Sequence, residues 1–223
     1  MILALTIVMG KIFDQIDKLF HVKTPHKRFL QRKIPEGLNY TYCFGGITFV
    51  LFILLSITGF YLSVYYIPSE EQAYESIRYI QEHVYLGWLM RSIHKWATTL
   101  MVIFLVLHML RVFITGSFKK PRELNWVVGT LLLIFTLAFG FTGYLLPWDQ
   151  KAYWATVVGT AMAGSIPFIG EYLIHLLRGG IEVDGQSLIR FYSIHSIWLP
   201  GCSVLLLWAH FHMIKRQGIS RGL

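Results

Sequence analysis

Apolar positions along the chain collect into four long runs, with the polar positions gathered between them. Segment A covers 40–66, segment B 88–114, segment C 124–146 and segment D 191–214. Each meets the roughly 20 apolar residues needed to cross a bilayer. Lipid offers no partner to a free backbone group, so all four are predicted to be helices. Ahead of them, KIFDQIDKLFHV (11–22) places Ile12, Phe13, Ile16, Leu19 and Phe20 at helical spacing. That pattern predicts an amphipathic helix lying on a membrane surface. The stretch 147–189 alternates apolar clusters with breaks and predicts two short interfacial helices. The expected fold is all-α: an integral membrane four-helix bundle in one domain spanning 1–223, with a tail (1–39) on one side and the 147–189 loop on the other.

Composition agrees with the pattern. Of 223 residues, 55% are hydrophobic and only 14% are charged, against about 25% charged in soluble proteins. The net charge of +8 matters through its placement. Basic residues flank apolar runs and do not line a polar fold, which excludes a nucleic-acid binder. Seven cationic residues precede segment A, three lie between B and C, and three follow D. The A–B loop holds only Arg78, and the C–D loop only Lys151 and Arg178. Cationic loops stay on the cytoplasmic side. Both termini and the B–C loop are therefore expected on that inner side, so A and C run outward and B and D inward. MILALTIVM (1–9) lacks the basic start and the cleavage site of a signal peptide, and Met9 is an alternative start. Cys43 and Cys202 are too few for a disulfide framework.

Histidines break the apolar runs in a regular way. His94 and His108 in segment B are 14 apart, a rise of about 21 Å on nearly one face. His195 and His210 in segment D are 15 apart, with about 60° of offset. A bend near Pro200–Gly201 is expected to absorb it. B and D run the same way, so His94 meets His195 near the outer surface and His108 meets His210 near the inner one. Two trans imidazole pairs at two depths match the axial needs of two six-coordinate haems. Zinc or copper would want further Asp, Glu or Cys ligands, which are missing nearby. A lone intramembrane histidine is commonly a packing residue; two depth-matched pairs are not read that way. His21, His26, His83 and His175 lie outside the spans, and His212 points about 160° from His210.

Segments A and C carry glycines at the same interval: Gly45 and Gly59, Gly129 and Gly143. The orientation places Gly45 and Gly129 at the inner histidine level and Gly59 and Gly143 at the outer. A residue without a Cβ lets a flat ring approach the backbone, although small residues also serve plain helix packing. Arg91 and Arg111 stand at the two levels, where each is a candidate partner for haem propionates or an interfacial anchor.

YCFGGIT, RSIHKW, KKPRELNWVVG, GYLLPWDQ, RFYSIH and MIKRQGIS, in that order, resemble the short, split cytochromes b of the cytochrome b6 family, found in b6f and related bacterial bc complexes. The resemblance covers nearly all of the chain from Met9. It implies the electron-transfer subunit of a quinol oxidoreductase, with two haem b and not active alone. Quinol is oxidised near the outer surface. One electron goes to a Rieske iron–sulfur protein and on to a c-type cytochrome, and the other crosses the membrane to reduce quinone on the inner side. The movement of charge and protons builds a gradient. By the same resemblance Cys43 matches the cysteine that holds an extra haem c through one thioether. From residue type alone Cys43 is a small buried hydrophobe, and Cys202, which has no such match, is expected in the core. Tyr153, Trp154, Val157 and Val158 fall where the family roofs the quinol-oxidation pocket. The Pro-Glu-Trp-Tyr quinol motif is absent, so the C-terminal cytochrome b half, a subunit IV-like partner, is implied. A dimeric complex follows from the family. Lys215 stands where the plant-type family has Arg. Departures from the plant pattern before Tyr40 favour a bacterial cytoplasmic membrane over a thylakoid. The alternatives are a di-haem anchor of another respiratory dehydrogenase and a colourless membrane scaffold.

Overall fold

The computed structural model describes residues 40–218 and 220. The expected surface helix at 11–22, His21, His26 and the first nine residues lie outside them. Among the described residues every regular element is helical. A 3-10 turn, Tyr40–Cys43, leads into α1 (Phe44–Ser63). There follow α2 (Ala73–Glu82), α3 (Gly87–Ile114), α4 (Glu123–Leu145), α5 (Gln150–Gly164), α6 (Gly170–Arg178) and α7 (Gly185–Ser193). A π-helical segment, Ile194–Trp198, joins α7 to α8 (Leu199–Gln217).

Four spans are long and apolar enough to cross a membrane: Tyr40–Ser63, Gly87–Ile114, Glu123–Leu145 and Gly185–Gln217. Their outward faces are largely exposed, with Phe60, Ile103, Leu137 and Leu205 among the exposed side chains. An apolar face left open on every span suits lipid and neighbouring subunits, not water. Hydroxyl groups inside the spans are satisfied locally. The hydroxyls of Thr48, Ser56, Thr130 and Thr136 donate to carbonyls three or four residues back, as membrane helices require. α1 packs chiefly along α3 and α4 along α8, while α3 and α4 touch sparsely. The bundle is thus two helix pairs facing one another, with segments B and D contributing one histidine-bearing helix to each pair.

The fully packed core sits at the end of the bundle that carries His94 and His195, the end expected to be outer. Tyr66, Ala73, Ile80, Leu145, Leu188 and Phe191 form it. Tyr66 donates its hydroxyl to the Leu146 carbonyl at 2.7 Å. α2 was not foreseen in the A–B loop; it buries Ala73, Ser76 and Ile80 and turns its charged residues outward. Arg78 pairs there with Glu75 and Glu82 on the surface. The loop helices expected after segment C are α5 and α6. Segment D starts earlier than expected, at Gly185, because Asp184 and Ser187 form a capping box and the Glu70 carboxylate accepts the Gly185 N–H. A helix N-terminus met by two carboxylates is well stabilised.

The 15-residue interval in segment D is resolved differently from the expected bend at Pro200–Gly201. The Leu199 N–H bonds the Ile194 carbonyl, five residues back. Pro200 has no N–H to give, and its ring crowds the carbonyl four residues before it. Widening the turn just ahead of the proline relieves both problems by taking in one extra residue. His195 and His210 thereby approach the register that a 14-residue interval has in a regular helix.

Candidate metal centres in the helical bundle

The outer pair comes from α3 and the π segment. The rings of His94 and His195 have centroids 6.4 Å apart and planes at 67°. An imidazole nitrogen binds a first-row metal at about 2 Å, so two in trans leave about 4 Å between the nearest ring atoms. Ring centres 6.4 Å apart accommodate that arrangement. Both Nδ1 atoms are engaged from behind: Thr58 Oγ1 lies 2.9 Å from His94 Nδ1 and Thr142 Oγ1 lies 3.1 Å from His195 Nδ1. A ligating histidine commonly commits its second nitrogen to such a partner.

The inner pair comes from α3 and α8. His108 and His210 lie within electrostatic reach of one another. His210 Nδ1 is buried without a full hydrogen bond and faces the backbone of Asn125. Arg111 lies one turn beyond His108. Its guanidinium sits 3.4 Å over the Tyr42 ring, and its Nε and one terminal nitrogen are buried without an acceptor. A half-buried cation with two buried, idle donors suits an anion, and a carboxylate of a bound porphyrin is of that class. Arg91, at the outer level, donates to Gln81 of α2.

The glycines back the histidines at the depths read from the sequence. A Cβ on Gly45 would stand 2.9 Å from His108 Cε1, and one on Gly59 3.2 Å from His94 Cε1. On Gly129 it would stand 3.6 Å from His210 Cε1, and on Gly143 2.6 Å from His195 Cε1. Each histidine therefore rests against the backbone of the neighbouring helix in its own pair. That seat leaves the opposite ring edge for a ligand between the pairs. Among the described residues no three His, Cys, Asp or Glu side chains gather. Each site thus offers two protein ligands, the number a six-coordinate haem takes from its protein. The donor set, the ring spacing, the glycine seats and the idle Arg111 donors fit that group.

The remaining candidates are dispersed. Cys43 is exposed where the 3-10 turn meets α1, beside Tyr42. Cys202, expected in the core, is exposed too, because it falls on the outward face of α8. His212 stacks on Trp208 and His83 on Tyr79, both away from the histidine pairs. On α5, Tyr153 packs edge-on against Trp148 and Trp154, while Trp154 and Val158 are exposed and Val157 is half-buried. This chain alone does not enclose the four of them.

Arg178 was missed by the sequence. It is 8% exposed. It donates to Thr160 Oγ1 at 2.7 Å, to the Val157 carbonyl at 2.9 Å and to the Ile181 carbonyl at 2.5 Å. It thereby locks α6 onto the buried face of α5 and leaves Trp154 and Val158 turned out. Arg178→Leu is expected to cost on the order of 3 kcal/mol through lost charged hydrogen bonds. Limited proteolysis should then cut the connection at 165–169 several-fold faster, with the spans intact.

A four-span membrane bundle with two depth-matched imidazole pairs defines the class of membrane di-haem cytochromes. The family model described as Cytochrome b/b6/petB matches residues 29–218, and the chain belongs to that family. Cytochrome b6 of Auxenochlorella protothecoides is 44% identical over 215 residues, 96% of this chain and 100% of the relative. Those of Synechococcus sp. (strain JA-3-3Ab) and Mesostigma viride are 44% and 45% identical over the same shares. A solved chain of a hyperthermophilic respiratory Complex III superposes with a TM-score of 0.86 at 30% identity, over 93% of this chain. This chain spans 55% of that one.

Proposed function

We propose that this chain is the haem-carrying cytochrome b subunit of a b6f/bc-type quinol oxidoreductase. It passes electrons across the membrane between a quinol-oxidation site and a quinone-reduction site. The observation that supports this most is the histidine pair at each of two depths, with every ring seated on a glycine. His94 and His195 hold the outer haem b, and His108 and His210 the inner one. Bound there, the porphyrins supply one-electron carriers at two depths. The protein's part is to orient four rings, to admit flat ligands at Gly45, Gly59, Gly129 and Gly143, and to exclude water with its apolar spans. Arg111 offers its idle donors to an anionic propionate on the inner side, and Arg91 serves the outer side. Tyr153, Trp154, Val157 and Val158 form one wall of the quinol pocket. A C-terminal cytochrome b half completes it, which is why the chain alone is not active. A Rieske iron–sulfur protein and a c-type cytochrome take the other electron, in a dimeric complex. Both termini face the cytoplasmic side, in a bacterial cytoplasmic membrane.

The test is a reduced-minus-oxidised spectrum with a quinol-oxidation assay on the intact complex. Two b-type haems and quinol-dependent reduction are expected; a colourless protein overturns the reading. Cys43, exposed at the inner end of α1, holds a haem c by a thioether. Haem staining of the denatured chain should be positive and should vanish in Cys43→Ser with the b haems retained. An unstained wild-type chain removes the haem c and nothing else.

A further inference from the structure

Two buried hydroxyls distinguish the outer histidine pair from the inner one. Thr58 and Thr142 are 1% and 4% exposed, in the C-terminal parts of apolar helices. Each immediately precedes the glycine that seats an outer histidine, Gly59 or Gly143. At the inner level the corresponding residues are Phe44 and Val128, which carry no hydroxyl. The Thr58 hydroxyl donates its hydrogen to the Leu54 carbonyl at 2.8 Å, and that of Thr142 to the Ala138 carbonyl, also at 2.8 Å. With the hydrogen committed, each oxygen is left as an acceptor facing a histidine Nδ1, at 2.9 and 3.1 Å. A neutral imidazole has one N–H. Placing it on Nδ1 leaves the Nε2 lone pair for the metal. His210 Nδ1, on the inner side, meets only the backbone of Asn125 and no hydroxyl, whereas His94 and His195 keep comparable backbone neighbours, Leu55 and Phe139, and have the threonines in addition.

We propose that Thr58 and Thr142 are positioning residues that tune the outer haem: by accepting the Nδ1–H of His94 and His195 they fix both ring planes, make both ligands more electron-donating, and lower the midpoint potential of the outer site without touching the inner one. A hydrogen bond to the far nitrogen raises the basicity of the ligand. A more basic axial ligand favours the ferric state, and outer-shell hydrogen bonding is one of the protein's levers on haem potential. The inference rests on the histidine assignment above.

The experiment uses the assembled complex carrying Thr58→Val, Thr142→Val, both together, and the matching serine variants. Redox titration of the two b haems is read alongside the EPR g-anisotropy, which reports the angle between axial ring planes. Each valine variant should shift the outer midpoint upward and the double variant further, with the outer g-values altered and the inner haem unmoved. The serine variants should behave as wild type. If a valine variant sheds the outer haem, retention at the wild-type midpoint in the serine variant supports the hydroxyl's role, and loss in serine as well overturns it. Unmoved midpoints, or equal shifts at both haems, overturn it too. Failure of the underlying assignment looks different: His94→Leu or His195→Leu would then keep both haems.

Discussion

His195→Leu is expected to strip the outer haem b from the complex and leave the inner one. Quinol oxidation should fall by more than about 100-fold, because even the loss of a partner behind a metal ligand costs 10–100-fold. The pairing makes the prediction specific. His94 faces His195 with ring centroids 6.4 Å apart, so His94→Leu should reproduce the same spectrum and the same surviving midpoint. His108→Leu and His210→Leu should share the opposite phenotype. His212 is the internal control: two residues from His210, it stacks on Trp208 on the exposed side of α8, and its replacement should spare both haems. Spectra and redox titrations of the five variants settle the pairing. If His94→Leu removes the same haem as His108→Leu, the trans arrangement across the two helix pairs is wrong.

The features that decided this reading were legible to different degrees. The spans follow from apolar runs alone, because lipid leaves the backbone no alternative to a helix. The glycine depths were also legible, since four positions at one interval on two co-directional helices have few geometric solutions. α2 was overlooked although its pattern is amphipathic: Ala73, Ile77 and Ile80 repeat at helical spacing, but Glu75 and Arg78 between them and Glu82 after them made the segment look like a charged loop. The π turn had a signal in two parts, a proline inside an apolar run and a 15-residue interval. Together these suggested a bend at Pro200–Gly201, whereas the chain meets the same offset by taking an extra residue into the turn ahead of the proline. Arg178 could not be read from the sequence, because its acceptors are two carbonyls and a threonine 18 residues away and no carboxylate marks it. Thr58 and Thr142 were hidden for another reason. A hydroxyl bonding back to its own helix is ordinary in a membrane, and only the position of a ring opposite it gives the oxygen a second use.

The glycine seats decide the sign of an alanine substitution. In a helix interior, alanine is ordinarily more favourable than glycine by about 1 kcal/mol. Gly46 and Gly140 have nothing within 4 Å of an added Cβ, so alanine there should leave haem content unchanged and raise thermal stability slightly. At Gly143 the added carbon would stand 2.6 Å from His195 Cε1, and at Gly45 2.9 Å from His108 Cε1. No side chain tolerates such contacts, and neither ring can retreat freely if its far edge is fixed by a ligand. Gly143→Ala should therefore deplete the outer haem and Gly45→Ala the inner one. Gly59→Ala, at 3.2 Å, should have a smaller effect, and Gly129→Ala, at 3.6 Å, should be close to neutral because that is ordinary van der Waals contact. The measurement is the haem-to-protein ratio across the six alanine variants, with each haem identified by its midpoint. A graded loss in the order Gly143, Gly45, Gly59, Gly129 ties the helix backbone to the ligand rings. Uniform tolerance, or equal loss at Gly46 and Gly140, would mean that these glycines serve helix packing alone.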